Sequence, residues 1–474
     1  MNTNDFYKLL KSSFPFTPTV KQNIGLQQLS NFVFSTVANE LFVLKGYAGT
    51  GKTTIIGVLV KNLWEVEKSA VLLAPTGRAA KVISNYSQKE AFTIHKKIYV
   101  PRAEKNGKIA FVLAPNKHKK TLFIVDEASM ISDISNQAKL FGSGALLDDL
   151  IQYVYSGFQC KLLLIGDTAQ LPPVKLDLSP ALNESNLELN YNKEVLRLEL
   201  DEVVRQGEDS GILFNATLLR EAISNSYFDS FEFNLNGFKD IIRLNDGYEI
   251  LDAINDAYSN LGNEETALIV RSNKRANLYN EQIRSRVLFN ENELTAGDFL
   301  MIVKNNYFWL KPTSEAGFIA NGDIIEVLEI FSIKELYGFR FAEVKIRMVD
   351  YPKMRPFETV LMLDTIKLET PSLPYEESNK LYQEILKDFE DEPSSYKKFL
   401  GVKKSKYHNS LQVKFSYAIT CHKSQGGQWN TVFVEQPYLP NGIDRDYLRW
   451  LYTAMTRAKE KLYLIGFKDD YFED

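Results

Sequence analysis

The sequence predicts an α/β protein built on parallel sheets, and three observations carry the prediction. The string Gly46-Tyr47-Ala48-Gly49-Thr50-Gly51-Lys52-Thr53 follows the apolar run Leu41-Phe42-Val43-Leu44 and precedes Thr54-Ile55-Ile56-Gly57-Val58-Leu59-Val60, which reads as a helix. More apolar runs, Ala70-Val71-Leu72-Leu73-Ala74, Leu122-Phe123-Ile124-Val125 and Leu162-Leu163-Leu164-Ile165, alternate with helical stretches. Continuous apolar strands of this kind belong to parallel sheets covered on both faces. A third stretch, from about 296 to 410, has the texture of a small β-domain set into a second αβ region.

With 474 residues the chain exceeds one hydrophobic core, so several domains are expected. The first αβ domain is expected over 1–206. Thr17 reads as a helix N-cap with Pro18 at the first helical position, and Val20, Ile24, Leu29 and Val33 give the helix one buried face. A β-hairpin is expected within 96–118, where Ile98-Tyr99-Val100 and Ile109-Ala110-Phe111-Val112-Leu113 flank the turn Asn106-Gly107. The second αβ domain is divided into 207–295 and 411–474 by the insertion at 296–410. Its expected strands are Ala267-Leu268-Ile269-Val270, Phe415-Ser416-Tyr417-Ala418, Thr431-Val432-Phe433-Val434 and Leu462-Tyr463-Leu464-Ile465. Inside the insertion, Val303, Phe308, Ile319, Ile324-Ile325-Glu326-Val327-Leu328 and Glu343-Val344-Lys345-Ile346-Arg347 mark short strands, Asn321-Gly322 a hairpin-type turn, and residues 375–407 a charged helical excursion.

Composition excludes several classes. Hydrophobic residues make up 45% and charged residues 24%, the values of an ordinary globular protein. The net charge of −4 restricts any nucleic-acid surface to a local basic groove. Cys160 and Cys421 stand far apart, with no Cys-x-x-Cys pair, so zinc is not expected and a reducing cytoplasm is. No apolar run reaches membrane-spanning length, and the first residues lack a basic-then-apolar leader.

The glycine-rich string has the spacing of a loop that wraps phosphate oxygens with backbone N–H groups at a helix N-terminus. Such a string arises by chance in only ~2% of chains this long. Gly46, Ala48, Gly49, Thr50, Gly51 and Thr54 supply the cradle, Lys52 a point charge for the β- and γ-phosphates, and Thr53 a hydroxyl ligand for Mg²⁺. Val125-Asp126-Glu127-Ala128-Ser129-Met130 ends an apolar strand in two acids. Asp126 is suited to the metal and Glu127 to activating a water. Gln170, in Gly166-Asp167-Thr168-Ala169-Gln170-Leu171-Pro172-Pro173-Val174, can sense the γ-phosphate. Arg205 and Arg457 are candidate fingers for the charge on the transferred phosphoryl group; Arg457 comes from the second domain and completes the site only when the domains close. The Gln22 amide suits an adenine edge.

Candidate nucleic-acid contacts lie in loops: Pro75, Thr76, Gly77 and Arg78 after one strand, Thr93 and His95 after another, and Thr420, His422, Lys423 and Ser424 near the C-terminal end. The run Asn305-Asn306-Tyr307-Phe308-Trp309 is read as strand and core rather than as a base-stacking platform, and the lysines of 397–406 as a solvated face.

Together the strings GYAGTGKT, APTGRAAK, TIH, VDEASM, GDTAQLPPV, EVVRQ, TCHKSQG and YTAMTRA, in this order, resemble the superfamily 1 DNA helicases of the RecD-like and phage Dda-like branch. The match runs from Gln22 to Arg457; at Thr420-Cys421-His422 one residue, Cys421, is inserted relative to the THKSQG string. The resemblance implies two RecA-like P-loop domains with ATP and Mg²⁺ in the cleft between them, Gly426 joining the nucleotide contacts. It also implies an SH3-like insertion, a wedge made by the hairpin, and single-stranded DNA crossing both domain tops with 5′-to-3′ movement. A cytoplasmic monomer acting at single/double-strand junctions in DNA repair or recombination is the expectation that follows. A P-loop ATPase switch without unwinding, a non-enzymatic nucleic-acid-binding module and a 3′-to-5′ helicase remain the rivals.

Overall fold

The computed structural model describes residues 1–103, 109–133, 141–202, 210–228, 230–311 and 313–473. In the first lobe, β1 (Glu40–Gly46), β2 (Ser69–Ala74) and β3 (Ala91–Thr93) lead into a hairpin of β4 (Tyr99–Ala103) and β5 (Ile109–Leu113), and β6 (Thr121–Val125), β7 (Lys161–Gly166) and β8 (Glu194–Leu200) follow. The main sheet has six strands in the order β3-β2-β6-β7-β1-β8, all parallel. Successive strand residues point to opposite faces. Phe42 and Leu44 therefore join Leu26, Leu29, Phe32, Ile55 and Ile56 in one core, while Leu41 and Val43 join Phe123, Val125, Leu147 and Leu150 in the other. Burial on both faces is the reason these strands read as unbroken apolar runs.

The second lobe contains β9 (Ile241–Leu244) and β10 (Thr266–Val270), then a barrel of β11 (Phe299–Ile302), β12 (Ile324–Leu336), β13 (Phe339–Met348), β14 (Phe357–Met362) and β15 (Leu411–Phe415), and returns through β16 (Ala418–Thr420), β17 (Trp429–Glu435) and β18 (Ala458–Ile465). Its sheet has five parallel strands in the order β16-β10-β17-β18-β9. The barrel is closed. The charged excursion forms two helices, Tyr375–Lys387 and Ser395–Lys404, whose Leu381, Ile385 and Val402 cover Phe339, Phe341, Val360 and Met362 of the barrel.

Several expectations are corrected. The helix expected from Thr17 begins two residues later: Thr19 is the N-cap of Val20–Phe34 and forms a reciprocal capping box with Gln22, because Gln22 stands at the third helical position needed to return the bond. Leu29 and Val33 are buried, but Val20 and Ile24 are 71% and 42% exposed; the buried face instead runs through Leu26, Leu29, Phe32 and Val33. The stretch Phe415-Ser416-Tyr417-Ala418 is not one strand. Phe415 pairs with Leu300 in the barrel, whereas Ala418 pairs with Leu268 in the lobe sheet, so the barrel extends past residue 410. Of the short barrel segments, Val303 lies just beyond β11, Phe308 is in no strand, and Ile319 makes only an isolated bridge to Asn306. Asn321-Gly322 is not a hairpin tip, since β11 and β12 are joined by a long loop. The two-residue turn of the barrel is Tyr337-Gly338, with φ of +56° and +72°, between the paired residues Leu336 and Phe339. That is the twist-matched hairpin geometry. β4 and β5 pair antiparallel from Tyr99↔Leu113 to Ala103↔Ile109, and the turn Asn106-Gly107 lies outside the described residues. Among the described residues no helix is long and apolar enough to cross a membrane.

Candidate functional site

The glycine-rich loop joins β1 to the helix Lys52–Asn62, with Gly51 as its N-cap at φ +84° and Gly49 at φ +75°. Both sit in the left-handed region that favours glycine. The Lys52 ammonium donates to the carbonyls of Gly46 (2.6 Å) and Tyr47 (2.9 Å). Gln22 is fixed at both ends: its Oε1 accepts from the Thr19 N–H at 3.0 Å, and its Nε2 donates to the Thr50 carbonyl at 3.0 Å. A cleft of about 450 Å³ opens over this loop. Gln22, Ala48, Gly49, Gly51, Lys52, Thr53 and Thr54 line it from the first lobe, together with Asp126, Glu127 and Gln170, and Thr456 and Arg457 line it from the second. Phe14 and Phe16 also line it, and sequence reasoning passed over both. The only available signal was two aromatics close before the capped helix that carries Gln22.

The acids leave the end of β6. The Asp126 carboxylate accepts from the Tyr86 hydroxyl at 2.7 Å and from the Glu127 N–H at 2.9 Å. Glu127 is in the left-handed region at φ +53°, a strained setting for a non-glycine residue, and this turns its side chain away from the strand direction. Its carboxylate lies 3.9 Å from the Arg457 guanidinium, with about 21% of the side chain still reaching solvent. That spacing is a charge contact rather than a hydrogen bond. Burial raises the Glu127 carboxyl above its ordinary pKa; Arg457 opposes the shift and Asp126 adds to it.

Arg457 is itself held in place. Its Nε donates to the Thr453 carbonyl at 2.9 Å and its Nη2 to the Thr456 hydroxyl at 3.2 Å, and it is 3% exposed. Gln170 is 7% exposed, and its Oε1 has no hydrogen-bond partner among the described residues. A buried acceptor atom without a partner, on a residue that lines the cleft, is an unfilled demand. The lobes are clamped beside it. The Leu171 N–H donates to the Thr453 hydroxyl (2.8 Å), the Gln425 amide to the Leu171 carbonyl (2.7 Å), and Arg449 to the Asp177 carbonyl (2.7 Å). Arg205 lies outside the described residues. Gly426 is not in the cleft lining. It packs on the first lobe instead, where a Cβ would come within 2.9 Å of the Ala79 Cβ and 3.1 Å of the Thr76 Oγ.

The loop candidates separate into two groups. Thr76 and Thr93 are both helix N-caps, accepting from the N–H groups of Ala79 and Lys96. Pro75 is partly exposed beside Thr76. Arg78 stacks its guanidinium 4.3 Å from the ring centre of Trp429 in the other lobe. Gly77 faces the barrel, where a Cβ would meet the Tyr351 hydroxyl at 2.7 Å and the Asp323 carboxylate at 2.9 Å. His95 stands against Tyr99 and Phe141, and burial lowers its pKa to about 4, which leaves it a neutral member of an aromatic cluster. Thr420 caps the short helix Cys421–Ser424 without a side-chain bond. His422 is exposed. Lys423 donates to the Asn321 side chain of the barrel, and burial with the nearby Lys414 charge lowers its pKa to about 8. Ser424 is fully buried and donates to the Cys421 carbonyl. Tyr307 packs against Phe111 and Phe318, and the Trp309 indole donates to the Asn409 carbonyl, but the run is neither strand nor core: Asn306 makes only an isolated bridge and Phe308 is 41% exposed.

Comparison with known proteins finds a family model within each lobe. An AAA domain model matches residues 30–176, and a UvrD-like helicase C-terminal domain model matches residues 415–465. The ATP-dependent DNA helicase dda of Enterobacteria phage T4 is 25% identical over 475 residues, covering 93% of this chain and 98% of the phage protein. The ATP-dependent RecD2 DNA helicase of Deinococcus radiodurans is 32% identical over 160 residues, 33% of this chain and 20% of that protein. Among solved structures, the Pif1 helicase from Bacteroides in complex with ADP-AlF3 and ssDNA aligns with a TM-score of 0.45 and 15% identity, covering 97% of this chain and 95% of that one.

Proposed function

We propose that this chain, which belongs to the superfamily 1 helicases of the branch that holds Dda, RecD2 and Pif1, is an ATP-dependent DNA helicase that translocates 5′ to 3′ on single-stranded DNA and unwinds duplex at junctions. The observation that supports it best is the meeting of Arg457, from the second lobe, with Glu127 across the cleft that also holds Lys52. A site completed by two lobes couples phosphate chemistry to lobe motion.

In this reading Lys52 leaves the Gly46 and Tyr47 carbonyls to neutralise the β- and γ-phosphates. The donor set of one hydroxyl and one carboxylate, Thr53 and Asp126, fits Mg²⁺ and would hold it. That ion, when bound, supplies charge neutralisation on the phosphates. Glu127 orients and deprotonates the attacking water, and its raised pKa makes it a stronger base than an ordinary carboxylate. The unpartnered Gln170 Oε1 accepts from that water. Arg457, and Arg205 from its own segment, stabilise the charge on the transferred group. DNA phosphates are held by the N–H groups of the Thr76–Gly77 turn and by Arg78, His422 and Lys423, while the β4–β5 hairpin splits the duplex. We place the protein as a cytoplasmic monomer.

Two forked substrates, one with only a 5′ tail and one with only a 3′ tail, test this reading. Unwinding of the 5′-tailed fork alone, with ATP turnover that rises on adding single-stranded DNA and falls with salt, is the expected result. Unwinding of the 3′-tailed fork alone overturns the polarity. DNA-stimulated turnover with no unwinding of either fork overturns the helicase reading in favour of a switch ATPase.

A further inference from the structure

We propose that Tyr452 is a positioning residue that ties the phosphate loop to the Gln170 turn across the lobe interface and so aims Arg457, a role that rests on the ATPase reading above. Tyr452 lies on the second-lobe helix Arg445–Met455 and is 1% exposed. Its hydroxyl accepts from the Ala48 N–H of the phosphate loop at 2.9 Å and donates to the Asp167 carboxylate at 2.7 Å. The other oxygen of Asp167 accepts from the Ala169 N–H at 2.9 Å, which shapes the turn that presents Gln170. One phenol from the second lobe thus bridges two first-lobe loops that both line the cleft.

The link continues to Arg457 through the end of the same helix. The Arg457 N–H donates to the Ala454 carbonyl at 3.2 Å and its Nε to the Thr453 carbonyl at 2.9 Å. A shift of Tyr452 away from Ala48 and Asp167 therefore carries the guanidinium with it. Nothing about packing alone requires the hydroxyl, since phenylalanine has the same shape. What requires it is the Ala48 N–H and one oxygen of the buried Asp167 carboxylate, both of which lose this partner when the hydroxyl is removed. The same helix also holds the first lobe through Arg449, whose Nη1 donates to the Asp177 carbonyl at 2.7 Å, and neither Arg449 nor Asp177 lines the cleft. The two residues of one helix thus separate clamping from positioning.

The experiment compares Tyr452→Phe with Arg449→Met in the full chain, measuring kcat and KM for ATP with saturating single-stranded DNA, alongside thermal denaturation. Tyr452→Phe is expected to lower kcat about tenfold with KM for ATP within twofold. Arg449→Met is expected to lower the melting temperature with kcat within twofold of wild type. A Tyr452→Phe enzyme with kcat within twofold of wild type overturns the proposal, as does an equal kcat loss in both variants, which would mark a merely structural clamp. Should Tyr452→Phe not fold, Asp167→Asn, which leaves the phenol and changes only its acceptor, is expected to show the same kcat-selective loss; an unchanged kcat there overturns the proposal. Absence of DNA-stimulated turnover in the wild-type protein would instead sink the ATPase reading, before any variant is compared.

Discussion

Replacing Glu127 by glutamine removes one charge and one proton acceptor while leaving the shape of the cleft intact. Glutamine meets the same backbone strain at φ +53°, so the conformational cost cancels between wild type and variant. The attraction lost to Arg457 at 3.9 Å is about 4 kcal/mol at an effective dielectric of ~20, and partial exposure reduces it further. Burial nevertheless outweighs Arg457 in setting the direction of the Glu127 pKa, which is upward. The carboxylate is therefore less well solvated in the site than in water, and neutralising it leaves the melting temperature unchanged or slightly higher. Catalysis responds differently, because loss of a general base costs roughly 10²–10⁴ in rate, or about 3–5 kcal/mol of barrier. The assay is phosphate release with saturating single-stranded DNA, with nucleotide binding measured separately. Expected are a kcat lower by at least a hundredfold and ATP affinity within a fewfold of wild type, since Lys52 and the loop glycines are untouched. In the wild type, kcat should fall as pH drops through the raised carboxyl pKa, nearer neutrality than for an ordinary glutamate. A Glu127→Gln protein that keeps more than a tenth of wild-type turnover, or unwinds a forked duplex at full rate, refutes the assignment of the base.

Three further outcomes follow from the geometry. Gly426→Ala puts a Cβ at φ +74° and 2.9 Å from the Ala79 Cβ; a loss of roughly 1–3 kcal/mol, read by thermal denaturation, and weaker binding of single-stranded DNA are expected. Gln22→Ala removes the side chain that joins the Thr19 N–H to the Thr50 carbonyl beside the cleft; KM for ATP rises, and an unchanged KM would detach Gln22 from the nucleotide. Asp323, whose carboxyl burial pushes up to about 8 with Asp350 adding to the shift, is protonated in the folded protein where the unfolded chain is ionised. Its contribution is full below the unfolded value of about 3.9 and is lost as pH rises through about 8, at up to roughly 1.4 kcal/mol per pH unit. Asp323→Asn should flatten the fall of melting temperature between pH 5 and 8, and an unaltered slope would contradict the buried neutral carboxyl.

What was legible in the sequence was local chemistry. The phosphate loop needs its glycines and lysine within eight residues, and β1, β6 and β7 are buried on both faces, so each announces itself as an unbroken apolar run. Arg457 was legible through the string around it, although nothing local says that it meets Glu127. Features that depend on distant partners were not legible. Phe415 and Ala418 are three residues apart and belong to different sheets, which no periodicity reveals. The Tyr337-Gly338 turn was missed because its first residue lacks the asparagine or aspartate that usually marks a positive φ. His95 and Ser424 carry side chains that suit phosphate, yet one is absorbed by aromatic packing and the other by the Cys421 carbonyl. Residue type offers a chemistry, and burial decides whether it is available.

Beside the cleft the seam between the lobes carries hydrogen bonds as well as apolar contact, since Ala169 and Leu171 of the first lobe are buried with core residues of the second, and the hydrogen bonds have a thermodynamic consequence. Leu171 meets Thr453 and Gln425, Asp177 meets Arg449, and Arg78 meets Trp429. Each hydrogen bond is worth only about 0.5–1.5 kcal/mol net, because water replaces the partner when the seam opens. An apolar seam of the same extent would hold the lobes by burial alone, at about 25 cal/mol per Å², with no substitute on opening. Contacts that water can replace lower the cost of opening the seam, towards the range of a few kcal/mol that a ligand with different affinities for the two states can reverse. The barrel extends this balance to the loops expected to meet DNA. Asp323 and Tyr351 sit against Gly77 of the first lobe, while Asn321 accepts from Lys423 of the second. Parting the lobes must therefore disturb one of these barrel contacts, and a polynucleotide bound to both turns would be shifted by the same movement.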